Sequence, residues 1–144
     1  MRALRQAVES VTPLPYGESM IDPVNTIRQV CLGLPEVSER LSHGTPTWFV
    51  RDKKCFAQLW PDGHHHNDFP HLWCAAPPGS AAELIAADPD VYFRPPYVGH
   101  RGWVGVRLDT GVQADEVAEV IEDSYRIVAP KTLVARLDAA ATQG

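Results

Sequence analysis

The segment FRPPYVGHRGWVGVRLD, residues 93–109, concentrates groups that could bind a ligand. Tyr97 and Trp103 offer stacking faces, and Arg94, Arg101 and Arg107 offer planar forks suited to carboxylate or phosphate. His100 lies between them, and Lys131, just after the last long helix, either enlarges an anion site or serves the terminal carbonyls of that helix. Trp103 and Arg107 share one face of an expected strand, about 13 Å apart along it, so they would grip two ends of a ligand. The competing structural role is a rigid corner at Pro95-Pro96-Tyr97, with Trp103 plugging the edge of the core. Gly99, Gly102 and Gly105 do not make a phosphate loop, because a strand follows them where a helix should open.

A second cluster is DGHHHND, residues 62–68. In extended chain His64 and His66 point the same way, and His71, Asp62 or Asp68 could complete a zinc, nickel or copper site. Ligating histidines need outer partners that a polar loop lacks, so no metal is assigned. A third is an open sheet face. If Lys54, Phe56, Gln58 and Trp60 share one side, and His71 and Trp73 one side of the next strand, the surface could stack bases or meet a second subunit, or, with the faces inverted, be plain helix-facing core. No nucleophile–base pair is visible. Ser124 falls mid-helix, and Glu36, Glu39 and Arg40 read as a solvated helix face. No cofactor is implied.

These residues must be positioned by short elements. A helix begins at Asp22-Pro23, a capping residue followed by proline at the first helical position, and stops at Gly33 and Pro35. EVSERLSHG allows one further helical turn before Gly44. Thr47 to Val50 and Lys54 to Trp60 form a hairpin turning at Arg51-Asp52-Lys53. PDGHHHNDFP is a polar loop and HLWCAA a third strand. Ser80 and Glu83 make a capping box for a short helix. Val91 to Arg94 is a fourth strand. Gly102 to Asp109 is a fifth, with Val104, Val106 and Leu108 on one face and Trp103, Gly105 and Arg107 on the other. The long helix from about Ala114 to Val128 turns Val117, Val120, Ile121, Ser124 and Val128 to one side. KTLVARLDAA adds a terminal helix.

The expected fold is α+β: a two-layer sandwich, α-β(3)-α-β(2)-α. Its mostly antiparallel five-stranded sheet carries helices on one face. Residues 1–20, ending in TPLPYGES, read as an extension or linker, and 21–144 as a single domain. The 144 residues carry a net charge of −5, which argues against a broad phosphate-binding surface. Cys31, Cys55 and Cys74 lack metal spacing and read as reduced, buried thiols of a cytoplasmic protein. No membrane span and no signal peptide are expected, since no long apolar run follows Arg2 and Arg5.

GLPEV, HGTPTWFV, KKCFAQLW, PPYVGHRGWVGVRLD and SYRIVAPK, in this order, resemble the MmcQ/YjbR family over roughly residues 21–137. The resemblance implies the same two-layer fold, a topology shared with secretion-chaperone-like domains. Members are often labelled DNA-binding, and the resemblance carries over no catalytic residue. The N-terminal extension and the histidine-rich 61–71 loop depart from the family pattern. The combined expectation is a non-enzymatic binding domain for nucleic acid or an anionic or aromatic ligand at the Phe93–Arg107 segment and open sheet face. The alternatives are a protein-interaction domain, homodimeric or chaperone-like, and a small enzyme using Tyr97, His100 and Arg101 on an anionic metabolite.

Overall fold

The computed structural model describes residues 22–143; the expected 1–20 extension lies outside them. Helix α1 is Pro23–Leu32. Its cap forms as the sequence implies: the Asp22 carboxylate accepts from the Asn25 N–H at 3.2 Å, which satisfies one orphan donor of the first turn. Ile27 and Cys31 are the residues α1 buries.

Strand β1, Val37–Ser42, stands where one further helical turn was expected. It pairs antiparallel with β2, Thr45–Val50, along its full length, from Val37 opposite Val50 to Ser42 opposite Thr45. The cause is the turn between them. His43 (φ 56°) and Gly44 (φ 77°) are both left-handed, the backbone of a two-residue hairpin loop that matches strand twist. Glu39 is therefore not on a solvated helix. It is half-buried in a strand and ties two layers together: it accepts two bonds from Arg28 on α1, both at 2.8 Å, and one from the Trp48 indole at 3.1 Å.

The next hairpin follows expectation. Arg51 and Asp52, at φ 53° and 59°, turn β2 into β3, Lys54–Trp60. A bulge interrupts this pairing: Trp48 faces Ala57 but Phe49 faces Cys55, which leaves Phe56 as the extra residue. Phe56 is thereby rotated into the helix-side core, edge-on to Tyr125 at 5.7 Å. It does not share a side with Gln58 and Trp60, as strict alternation would have it.

Strand β4 is His71–Cys74 and helix α2 is Ser80–Ala87. The capping box does not form. Left-handed Gly79 (φ 82°) takes the cap position without a side-chain bond, which leaves Ser80 inside the helix. β5 is Tyr92–Phe93, β6 is Val104–Arg107, α3 is Ala114–Val128 and α4 is Lys131–Gln143.

Among the described residues the sheet has six strands in the order β1-β2-β3-β4-β6-β5, every neighbouring pair antiparallel. The architecture is an α+β two-layer sandwich with one strand more than the sequence suggested, and α4 as the terminal helix. Ile27, Val117, Ile121, Tyr125 and Leu133 from the helices meet Trp48, Phe56, Leu59, Leu72, Val104 and Val106 from the sheet in one core. Two buried hydroxyls are satisfied within it. Tyr125 donates to the Pro35 carbonyl at 2.7 Å and Ser124 to Val120 at 2.8 Å. Cys31, Cys55 and Cys74 are free thiols, and burial pushes Cys74 up to about 12. Among the described residues no helix is long and apolar enough to cross a membrane.

Candidate functional site

The sheet face away from the helices is not bare. Register places Gln58 opposite Trp73 and Trp60 opposite His71. It places Trp73 and Phe93 on either side of Gly105, and His71 opposite Arg107. Alternation along each strand then puts all these side chains on one surface. Trp73, Ala75 and Trp103 form a second buried cluster, with Cys55, Trp60, Phe93 and Val98 packed against it. Gly105 is required by close approach. A β-carbon there would meet Phe93 ring carbons at 2.4 to 2.7 Å, so the ring lies in the space a side chain would fill.

The loop after β3 folds back over this face. His64 packs edge-on to Trp60 at 4.8 Å, lies 5.3 Å from Trp73 and is edge-on to Tyr97 at 6.0 Å. His66 Nε2 and the Tyr97 hydroxyl are 3.1 Å apart. Phe69 stands edge-on to both His71 (5.4 Å) and Phe93 (5.5 Å), beneath the Arg107 guanidinium at 4.1 Å. Between this loop and the Tyr97 turn remains a cleft of about 560 Å³, lined by His43, Gln58, Trp60, His64, His65, Trp73, Tyr97 and Val98. That volume is in the range of small-molecule sites. No carboxylate, lysine or arginine belongs to the lining.

Tyr97 is the outlying feature. It is 62% exposed and left-handed, at φ 67°. A bulky residue in that region costs about 1–2 kcal/mol, and such strain clusters at functional positions. Pro95 and Pro96 before it fix the approach of the chain, and the bond to His66 holds the phenol as a wall of the cleft.

The floor is underprovided with hydrogen bonds. Trp60 Nε1, Trp73 Nε1 and His71 Nε2 are shielded from solvent and have no partner. Leaving such a group unpaired costs roughly 1–3 kcal/mol, so each calls for an explanation. His71 Nδ1 lies 2.7 Å from the Phe69 carbonyl. Nδ1 must carry the proton to donate there, which leaves Nε2 as a bare acceptor. Burial pushes the His71 pKa down, and burial together with the neighbouring histidines does the same to His64.

The sequence candidates divide. Tyr97 lines the cleft. Trp103 is 6% exposed and packs in the second cluster, with Arg101 over its ring at 5.4 Å. Arg94 is exposed and runs beside Gly99, where its Cγ lies 2.7 Å from a built β-carbon. His100 is exposed in a short 3-10 turn, Gly99–Arg101. Arg107 is paired with Asp109 at 2.6 Å, which spends its fork. Lys131 is exposed at the start of α4. Tyr97 alone of the seven belongs to the cleft lining. Of the histidines, His64 lines it and His66 braces it, while His71 lies in the sheet beneath. Among the described residues no three His, Cys, Asp or Glu side chains are grouped to hold a metal. Gln58, Trp60 and Trp73 were legible as one face. His43 and Val98 gave no signal, and His65 none beyond its place in the histidine run, because loops bring them in.

A second cleft of about 590 Å³ lies between α2 and α3, with Asp115, Glu116, Glu119 and Asp123 in its lining. The Tyr92 hydroxyl and Glu116 satisfy one another there at 2.5 Å. Its one ring, Tyr92, is buried and its hydroxyl already bonded.

No curated protein matches the sequence. Among solved structures, protein DR2400 of Deinococcus radiodurans, described with a DUF419 domain, aligns with a TM-score of 0.63 at 25% identity, covering 80% of this chain and 87% of that one. The model of the YjbR family matches residues 32–127, from the end of α1 to the last turn of α3, a span that includes every strand and every residue of the cleft: the chain belongs to the YjbR family.

Proposed function

We propose that this YjbR domain is a non-enzymatic binding module that takes the planar ring of a small ligand in the cleft on its open sheet face. One observation carries the reading: strained, exposed Tyr97 stands opposite the Trp60 and Trp73 rings across a volume of about 560 Å³. Aromatic walls of this kind bind by stacking and edge contacts, worth about 0.5–1.5 kcal/mol per ring pair beyond burial. The lining holds six rings, one amide and Val98, with no lysine or arginine, so an anionic group on the ligand would sit outside the cleft. The covering loop makes a pocket of the face, which favours a small ligand over a flat subunit contact or a homodimer. The free cysteines suit a reducing compartment, and we place the protein in the cytoplasm.

The test is saturation-transfer NMR with a panel of neutral aromatic compounds. Ring protons of the binders should receive saturation from the protein and lose it in Tyr97→Ala. Equal transfer in the variant would remove the cleft as the site.

Exposed Arg94, His100 and Arg101 flank the Tyr97 turn. They favour a second reading, in which the ring is a base of single-stranded nucleic acid and these cations meet its phosphates. Anisotropy of a labelled oligonucleotide should then fall steeply from low to high salt. Binding without salt dependence excludes phosphate contact.

A further inference from the structure

The cleft's hydrogen-bonding groups restrict the ring it can take, and this inference rests on the ring-binding reading above. Two donors stand unused, the solvent-shielded indole N–H groups of Trp60 and Trp73, two residues of the cleft lining. One acceptor is fixed by its surroundings. The Gln58 amide nitrogen donates to the Ser42 carbonyl and to Thr47 Oγ1, both at 3.1 Å. Thr47 Oγ1 donates its own proton to the Thr45 carbonyl at 3.0 Å, so it must accept from Gln58. The amide cannot flip without losing both bonds, and its Oε1 is left as the acceptor of a cleft residue.

A ring already sits there. The His64 imidazole touches all three aromatic walls, Trp60, Trp73 and Tyr97. Its Nδ1 accepts from the His66 backbone N–H at 3.2 Å, so it cannot also bind an indole proton. It fills the space of a heterocycle and leaves the donors unanswered. No carboxylate, lysine or arginine lines the cleft to select an ion.

We propose that the cleft takes a neutral, nucleobase-like nitrogen heterocycle. At least two acceptor atoms on its rim meet the N–H groups of Trp60 and Trp73, an N–H donor meets Gln58 Oε1, and His64 is displaced. A carbocyclic ring stacks equally well but has no acceptor on its rim, and the single hydroxyl of benzyl alcohol, held off the ring on a methylene, can answer at most one of the two indole protons. A quaternary ammonium finds ring faces but cannot use the donors.

Calorimetric titration of the full chain with 9-methyladenine, 1-methylcytosine, benzyl alcohol and choline separates these cases. The methylated bases should bind about tenfold or more tightly than benzyl alcohol, the size expected from two recovered hydrogen bonds. Trp73→Phe keeps a ring and removes a donor. It should weaken 9-methyladenine about fivefold, the size of one hydrogen bond, and leave benzyl alcohol unchanged. Trp60→Phe, at a less buried position, is the parallel variant should Trp73→Phe fail to fold. His64→Ala should tighten 9-methyladenine. Benzyl alcohol binding as tightly as the bases would overturn this inference and leave the ring-binding reading standing. Choline binding alone, or no binding by any ring, would overturn both.

Discussion

At the scale of single residues, His71 and Tyr97 carry opposite kinds of cost. His71 is fully buried, bonded through Nδ1, with Arg107 across from it in the sheet and His64 above its tryptophan neighbours. Its pKa is below the ordinary 6.5 because burial penalises the charged ring. The unfolded chain therefore takes up a proton that the folded one refuses. Stability is fully present above pH 6.5 and is lost as pH falls toward the depressed folded value. Thermal melts across that range should show a decline that His71→Phe reduces, with half-buried His64 of the covering loop supplying part of the remainder. Tyr97→Gly should behave differently. It relieves left-handed strain but adds unfolded-state freedom, so stability should change by no more than about 1 kcal/mol in chemical denaturation. Ligand binding should nevertheless disappear. The aromatic character of Tyr97, Trp60 and Trp73 was plain in the sequence. Trp103 sinks into a buried cluster, one of the two roles its spacing left open; that Tyr97 projects was not legible, because the left-handed backbone after Pro95-Pro96, rather than strand alternation, aims it. Arg107 drops out as an anion fork because Asp109, two residues on, claims it.

At the scale of elements, β1 shows why one strand escaped the sequence. Val37, Glu39 and Leu41 do alternate with Ser38, Arg40 and Ser42, but the run is short, edge-placed and rich in charged residues that also suit a helix turn. Its pairing with β2 decides it, together with the left-handed His43-Gly44 turn. α1 is then pinned to β1 by Arg28 and Glu39, whose carboxyl is held below the usual carboxylate range, first by the Arg28 hydrogen bonds. Glu39→Ala should destabilise by about 1–2 kcal/mol in urea unfolding, less than a fully buried pair because Arg28 is partly exposed. Much of that loss comes from stranding the buried Trp48 indole N–H. Glu39→Gln, which keeps an acceptor, should recover part of it. The bulge at Trp48/Phe49 explains the other misplacement: one extra residue turns Phe56 to the helices, an event with no local signature in KKCFAQLW.

At the scale of the molecule, the layers were legible because they depend on periodicity. The helix faces of α1 and α3, the β2–β3 hairpin and the valine face of β6 all follow from spacing. The cleft was legible only in part, because its floor is sheet and its walls are loops. Gln58, Trp60 and Trp73 obey alternation, whereas His64, His65 and Tyr97 arrive through chain paths that no period describes. The acidic total likewise conceals the arrangement, since the cleft itself has no formal charge in its lining. On the nucleic-acid reading, Arg101→Ala should weaken single-strand binding and flatten its salt dependence in anisotropy titrations, with the melting temperature unchanged.

The missing side chain at Gly105 reaches further than its own position. Phe93 occupies that vacancy, and the chain leaves Phe93 directly for the proline corner that presents Tyr97. The gap between phenol and indoles is thus set by one hydrogen atom's worth of room in the middle of β6. Among descendants of a common ancestor, positions 93 and 105 should drift as a couple: wherever the glycine is replaced by something bulkier, the phenylalanine should shrink, and the mouth of the cleft should change width with them.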